Sequence, residues 1–213
     1  MAEQEGVIKY RLDFTEAAPL PEIWLQSLQQ WRLTLFQLGL IGQDPERYGG
    51  LGYGNISLRH PSGKGFIISG TQTGGLAQLS PADYCYVSHC DPFENLIVAS
   101  GPIKPSSEAL THGAIYALDD NIQAVIHTHS PEIWQQADTI LLPKTPAEVP
   151  YGTPEMAQSV ADLWQKGVLS PAHIFVMAGH EDGVVSFGGN LNDAGMTMLN
   201  NFQWARAFLL NAE

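Results

Sequence analysis

One short run constrains this chain more than any other: Ala124-Val125-Ile126 leads directly into His127-Thr128-His129. A brief apolar run with β-branched residues reads as a buried strand. Along an extended chain, residues two apart point to the same face, so both imidazoles can reach one point at the strand's end. Neutral imidazole is the commonest metal ligand, and a catalytic zinc takes three protein ligands and keeps one position open. A pair of histidines at a strand end is equally compatible with ordinary packing. A third ligand and a proton-handling group have to come from elsewhere in the chain.

His180 is the best third ligand. It sits in Ala178-Gly179-His180-Glu181-Asp182-Gly183, between strands expected over residues 174–177 and 184–187, and Glu181 and Asp182 read as exposed turn residues. His60, His89, His112 and His173 lack that glycine-flanked, strand-end setting, and His112 reads as a partly exposed helix residue. Glu108 follows Lys104-Pro105-Ser106-Ser107. Ser106 or Ser107 is expected to cap a helix running to residue 119, with Pro105 just before it. A glutamate in a first helical turn complements the helix dipole, and facing inward it can also accept a proton. Serine hydroxyls and unpaired helix-start amides can hold an anion. Gly54-Asn55-Ile56-Ser57 adds an amide side chain and further backbone amides, although asparagine after glycine is also ordinary turn chemistry.

Apolar residues at helical spacing (Ile23, Trp24, Leu28, Trp31, Leu35, Phe36 and Leu38) predict a helix over residues 21–40 whose aromatics pack in the core. Strands are expected over residues 56–59, 65–69 and 84–88. A helix opens at Thr153-Pro154-Glu155, with threonine as N-cap and proline at the first position, and ends near Gly167. A last helix covers residues 192–210. With 213 residues, 44% of them hydrophobic and 15% charged, and no repeat or linker, the chain reads as one α/β domain spanning 1–213. The net charge of −12 argues against nucleic acid or an anionic membrane as partner, while leaving room for an anionic small molecule held by amides and hydroxyls. No apolar stretch is long enough to span a bilayer, and the acidic N-terminus lacks the features of a signal peptide. A cytoplasmic location is therefore expected, with Cys85 and Cys90 as free thiols.

Taken in order, Gly54-Asn55-Ile56-Ser57, Lys104-Pro105-Ser106-Ser107-Glu108, His127-Thr128-His129, Gly152-Thr153-Pro154-Glu155 and His180 ahead of Gly183-Val184-Val185 resemble the class II aldolase/adducin family. The resemblance runs from about residue 28 to 208. It implies a three-layer α/β/α domain with a mixed, mostly antiparallel central sheet, and a homo-oligomer, a tetramer, with active sites between subunits. It further implies that His127, His129 and His180 hold one Zn²⁺ per subunit and that Glu108 is the general base or acid. Asn55, Ser106 and Ser107 would grip a substrate phosphate, helped by Thr73 and Gly74 or by Ser69 and Gly70.

The implied reaction is zinc-dependent aldol cleavage of a sugar phosphate through a metal-stabilised enediolate. Epimerisation, dehydration or decarboxylation on the same scaffold is the alternative, and a non-catalytic adducin-like interaction domain is a third reading. Three features depart from the aldolase pattern. The stretch after His129 is short and proline-rich and holds no tyrosine before Tyr151, so the family's proton-donating tyrosine has no counterpart there. Glu181 and Asp182 intervene before Gly183, and the segment after the last helix is curtailed. Ile140, Leu141 and Leu142 are expected to be exposed beside the site and buried by a neighbouring subunit.

Overall fold

The computed structural model describes residues 6–210. In chain order the elements are β1 (Arg11–Glu16), α1 (Gln26–Gln37), β2 (Gly42–Gln43), β3 (Gly52–Tyr53), β4 (Asn55–Arg59), β5 (Phe66–Ser69), β6 (Tyr84–Asp91) and β7 (Leu96–Gly101). There follow α2 (Ala109–Tyr116), β8 (Ala124–His129), α3 (Pro131–Gln136), α4 (Pro154–Gln165), α5 (Leu169–Ala172), β9 (Ile174–Val176), β10 (Gly183–Gly188) and α6 (Leu191–Leu210).

Eight strands form one sheet in the order β1-β7-β6-β5-β4-β8-β10-β9. Every pairing in it is antiparallel except β1 on β7. β2 and β3 make a separate small ribbon. The sheet buries both faces. Val125, Val185 and Phe187 share a core with Leu110 and Ile115 of α2 and Met156 and Val160 of α4. Ile126 and Val184, the next residues along, join Leu28 and Leu35 of α1, Ile133 of α3 and Met198 of α6. The period-two alternation thus sends neighbouring residues into opposite cores and gives the expected three-layer α/β/α sandwich.

The same alternation fixes the site. His127 and His129 follow Val125 on the face toward α2 and α4, while Thr128 points the other way and donates to Met198 Sδ at 3.3 Å. Asn55 stands directly opposite His127 across the β4–β8 ladder. Gly183 stands opposite His129 across β8–β10. One end of three adjacent strands therefore carries most of the candidate site.

Several local expectations need correction. Residues 21–40 form a 3₁₀ turn over Glu22–Trp24 followed by α1 rather than one helix. Its buried stripe is Leu28, Arg32 and Leu35, whereas Trp24, Trp31 and Phe36 are half-buried and Ile23 and Leu38 are exposed. Ile140 and Leu142 pack onto the core shared by α1, α3 and α6, so only Leu141 is fully exposed. Leu141 borders a groove lined by Leu163, Val168 and Pro171, at the C-terminal end of α4. Thr153 caps α4 as expected, its hydroxyl accepting from Met156 N at 3.3 Å with Pro154 at the first turn. Cys85 and Cys90 are both free thiols. Among the described residues no helix is long and apolar enough to cross a membrane.

Candidate functional site

His127 lies near the C-terminal end of β8, a strand buried along its whole length, and its Nδ1 lies 3.3 Å from the Val184 carbonyl oxygen on β10. That contact fixes the ring and leaves Nε2, which is buried and has no hydrogen-bond partner, as the donor atom. His129 lies two residues on, its backbone N–H bonded to Leu40 O at 3.0 Å. His180 sits in the tight turn between β9 and β10, where His180 N donates to Met177 O and Gly183 N to His180 O. A Cβ at Gly183 would meet His180 Cδ2 at 2.6 Å, so the imidazole occupies the place a side chain would take.

The three rings meet, with centroids 4.7 to 5.4 Å apart. Their donor atoms all lie within 4.8 Å of one another, and all three residues are buried. Burial pushes each imidazole below its ordinary pKa, His127 to about 4, with mutual repulsion deepening the effect at His129 and His180. Three neutral, convergent imidazole donors are the form in which histidine binds a divalent metal. The residues present therefore fit such an ion.

Glu108 is only 1% exposed, and its Oε1 stands 3.9 Å from His180 Nε2. With His180 held neutral, this is proximity rather than an ion pair. The carboxylate is positioned by a turn. Glu108 N donates to Ser106 Oγ at 3.3 Å, Ala109 N to Ser106 O at 3.0 Å, and Tyr10 Oη to Ser106 O at 2.8 Å. Glu108 itself, not Ser106 or Ser107, occupies the N-cap position of α2, and no side chain caps that helix. The Ser106 hydroxyl thus accepts from the N-cap residue's own N–H and caps no N–H within α2. Ser106 and Ser107 line a narrow polar cleft with Asn55, Thr73, Gly74 and Gly70, and Gly6 lies at its rim. Asn55 is 7% exposed, and its Oδ1 has no hydrogen-bond partner. Thr73 spends its hydroxyl on Gly70 O at 2.8 Å, so its contribution to the cleft is the loop backbone. The Ser69 hydroxyl accepts from Ile56 N at 3.3 Å and so braces β4.

His112 is completely buried, contrary to the expectation of a partly exposed position. Its Nδ1 lies 2.7 Å from Ser57 Oγ, itself 2.8 Å from Tyr116 Oη, and burial lowers its pKa. Asp182 is also buried. It accepts from Arg47 Nη2 at 2.7 Å and from Tyr48 Oη at 2.6 Å, so it is tied to a second loop rather than exposed in the turn; Glu181 is exposed as expected. Tyr48 stacks edge-on against His129 with centroids 4.5 Å apart, and Tyr151 lies 4.6 Å from His180. Lys9 Nζ sits 3.4 Å above the Tyr151 ring and donates to Tyr151 O at 3.2 Å. Lys9, Tyr10, Arg47 and Tyr48 carry no motif that marks them in the sequence. They reach the site only because the N-terminal segment and the loop after β2 fold over the strand ends.

A family model described as the class II aldolase and adducin N-terminal domain matches residues 46–208. Among solved structures, L-fuculose-1-phosphate aldolase from Thermus thermophilus is 20% identical with a TM-score of 0.66, over 90% of this chain and 95% of that one. YgbL from Klebsiella pneumoniae is 22% identical with a TM-score of 0.65, over 90% and 91%. A sugar-phosphate aldolase from Thermotoga maritima is 17% identical with a TM-score of 0.65, over 88% and 94%. No curated protein sequence matches the chain.

Proposed function

The chain belongs to the class II aldolase and adducin family, and from that membership we propose that it is a zinc-dependent aldolase cleaving a sugar phosphate. The observation that carries the proposal is the meeting of three buried imidazoles with one buried carboxylate beside a polar cleft. A non-catalytic interaction domain has no use for three neutral histidines and a glutamate sequestered from water, which cost stability to bury.

His127, His129 and His180 would hold the ion, and zinc is favoured by an all-imidazole donor set. Bound there, the metal would supply Lewis-acid polarisation of the substrate carbonyl. Glu108 stands beside the donors without being one of them, and moves the proton at the carbon next to that carbonyl: it accepts the proton in the direction of aldol synthesis and returns it in cleavage. Asn55, Ser106 and Ser107, with the backbone around Thr73 and Gly74, bind the phosphate and orient the carbon chain toward the histidines. Tyr48 and Tyr151 wall the metal site on two sides and limit the entry of water.

The test is turnover of a panel of sugar phosphates by purified protein with zinc and after chelation. Metal-dependent release of an aldehyde with a ketose-derived phosphate is expected. A metal-dependent epimer, dehydrated product or carbon dioxide instead would assign another reaction on the same scaffold, and metal-indifferent protein without turnover would favour the interaction domain. We further infer a cytoplasmic homotetramer, for which light scattering at micromolar concentration should give about four times the 23.2 kDa of one chain. A clean monomer that turns over substrate would make each site self-contained.

A further inference from the structure

Arg32 lies on the apolar stripe of α1, between Leu28 and Leu35, and is 2% exposed. Its guanidinium donates to three backbone carbonyls of one loop: Thr73 O at 2.9 Å, Gly74 O at 3.0 Å and Ala77 O at 3.1 Å. Among the described residues no carboxylate pairs with it; the nearby Asp83 side chain accepts instead from Ser80 N and Ser80 Oγ, both at 2.8 Å. A buried cation without a counter-ion is costly, and carbonyl dipoles offset only part of that cost. In a trans peptide the C=O and the following N–H point in opposite directions. With Thr73 O turned toward Arg32, the Gly74 N–H therefore points away from it, and it bonds to no acceptor among the described residues. Gly74 lines the polar cleft together with Asn55, whose Oδ1 is likewise unbonded.

We propose that Arg32 is the positioning residue of this cleft: it holds the Thr73–Gly74 carbonyls beneath the loop, turns the loop's amide toward the ligand, and places a buried positive charge behind a site that takes a dianionic phosphate. The proposal rests on the reading of the cleft as the substrate's anion site. It adds the reason that a chain of strong negative charge can select a phosphorylated over a neutral sugar without a cation lining the cleft itself. The guanidinium acts through the loop, as a fixed charge that needs no desolvation when the ligand arrives.

The experiment is binding of inorganic phosphate at pH 8, where it is a dianion, and of nitrate as a monoanion, to the full chain and to Arg32→Met, Arg32→Lys and Asn55→Ala. Zinc uptake is measured on each as a check that the histidine site still forms. Arg32→Met should lose roughly tenfold or more in phosphate binding and less in nitrate binding, because a fixed charge acts twice as strongly on a dianion. Arg32→Lys keeps the charge but loses the fork, and should fall between Arg32→Met and the wild type. Should Arg32→Met fail to take up zinc, Arg32→Lys decides: phosphate binding at wild-type strength overturns the positioning role. Equal losses for phosphate and nitrate overturn the charge role and leave only a scaffold effect. Wild-type protein that binds no phosphate, or Asn55→Ala that binds it undiminished, overturns the reading of the cleft and the Arg32 proposal with it. Phosphate binding that survives intact in a zinc-competent Arg32→Met overturns the Arg32 proposal alone.

Discussion

Glu108 is buried within 3.9 Å of His180, yet the three imidazoles, not the carboxylate, converge as a metal-binding set. Its replacement should therefore separate proton transfer from metal binding. Glu108→Gln is expected to lower turnover by about 10²–10⁴-fold, the usual worth of a positioned base, with zinc still bound. Undiminished turnover would move the proton chemistry to another group. The residues of the candidate site differ in how visible they are in the sequence. His127, His129, His180, Glu108, Asn55, Ser106 and Ser107 stand in short motifs that carry the family resemblance, which is what brings them forward as candidates. Arg32 had a fainter signal, a charge on an otherwise apolar helical stripe, between Leu28 and Leu35. Lys9, Arg47 and Tyr48 had none, because only long-range folding brings them to the histidines.

At the scale of elements, the strands and helices that build the site were legible where apolar runs and caps coincide. β4, β5, β8, β9, β10, α4 and α6 lie close to where periodicity, proline and glycine put them. β1 alternates over Arg11-Leu12-Asp13-Phe14-Thr15, but it is hard to see because four of its six residues are exposed and only Leu12 and Phe14 are apolar, too short a pattern to stand out. α3 has Ser130 as N-cap and Pro131 in its first turn, the signature that marks α4, but it lies in a proline-rich stretch that reads as loop. The burial of Asp182 is not legible in the sequence because its partners, Arg47 and Tyr48, lie more than 130 residues away. The junction of β10 with the His180 turn is where element geometry touches function most directly. A Cβ at Gly183 would press on His180 Cδ2 at 2.6 Å. Gly183→Ala should shift that ring and weaken zinc binding by about 10–100-fold, as for loss of a residue that orients a ligand. Zinc titration against a chelator reads the change; unaltered affinity would mean that the turn relaxes without moving the imidazole.

Across the whole molecule, the resemblance to one family conveyed the three-layer architecture, while the depth of burial at the site came only from the folded chain. Four histidines, His112, His127, His129 and His180, are pushed below their ordinary pKa by burial. Each is neutral in the folded state at pH values where the unfolded chain has already taken up a proton. Their contribution is therefore fully present above about pH 6.5 and is lost as pH falls toward the folded pKa, which for His127 is about 4. In that window each should progressively lower the stability of metal-free protein as the pH falls. Urea unfolding in the presence of chelator at pH 7 and pH 5 should show a pronounced loss at the lower pH. Equal stability at the two values would mean that these histidines are not buried in the neutral form.

The central claim is that His127, His129 and His180 form one metal site serving this fold's chemistry. It is tested most directly by metal analysis of purified protein after zinc loading, alongside the three single His→Ala variants. The expected result is one zinc per chain in the wild type, and loss of both zinc and sugar-phosphate turnover in each folded variant. Wild-type protein that takes up no divalent metal, or turnover that persists when the three histidines are removed, would contradict it.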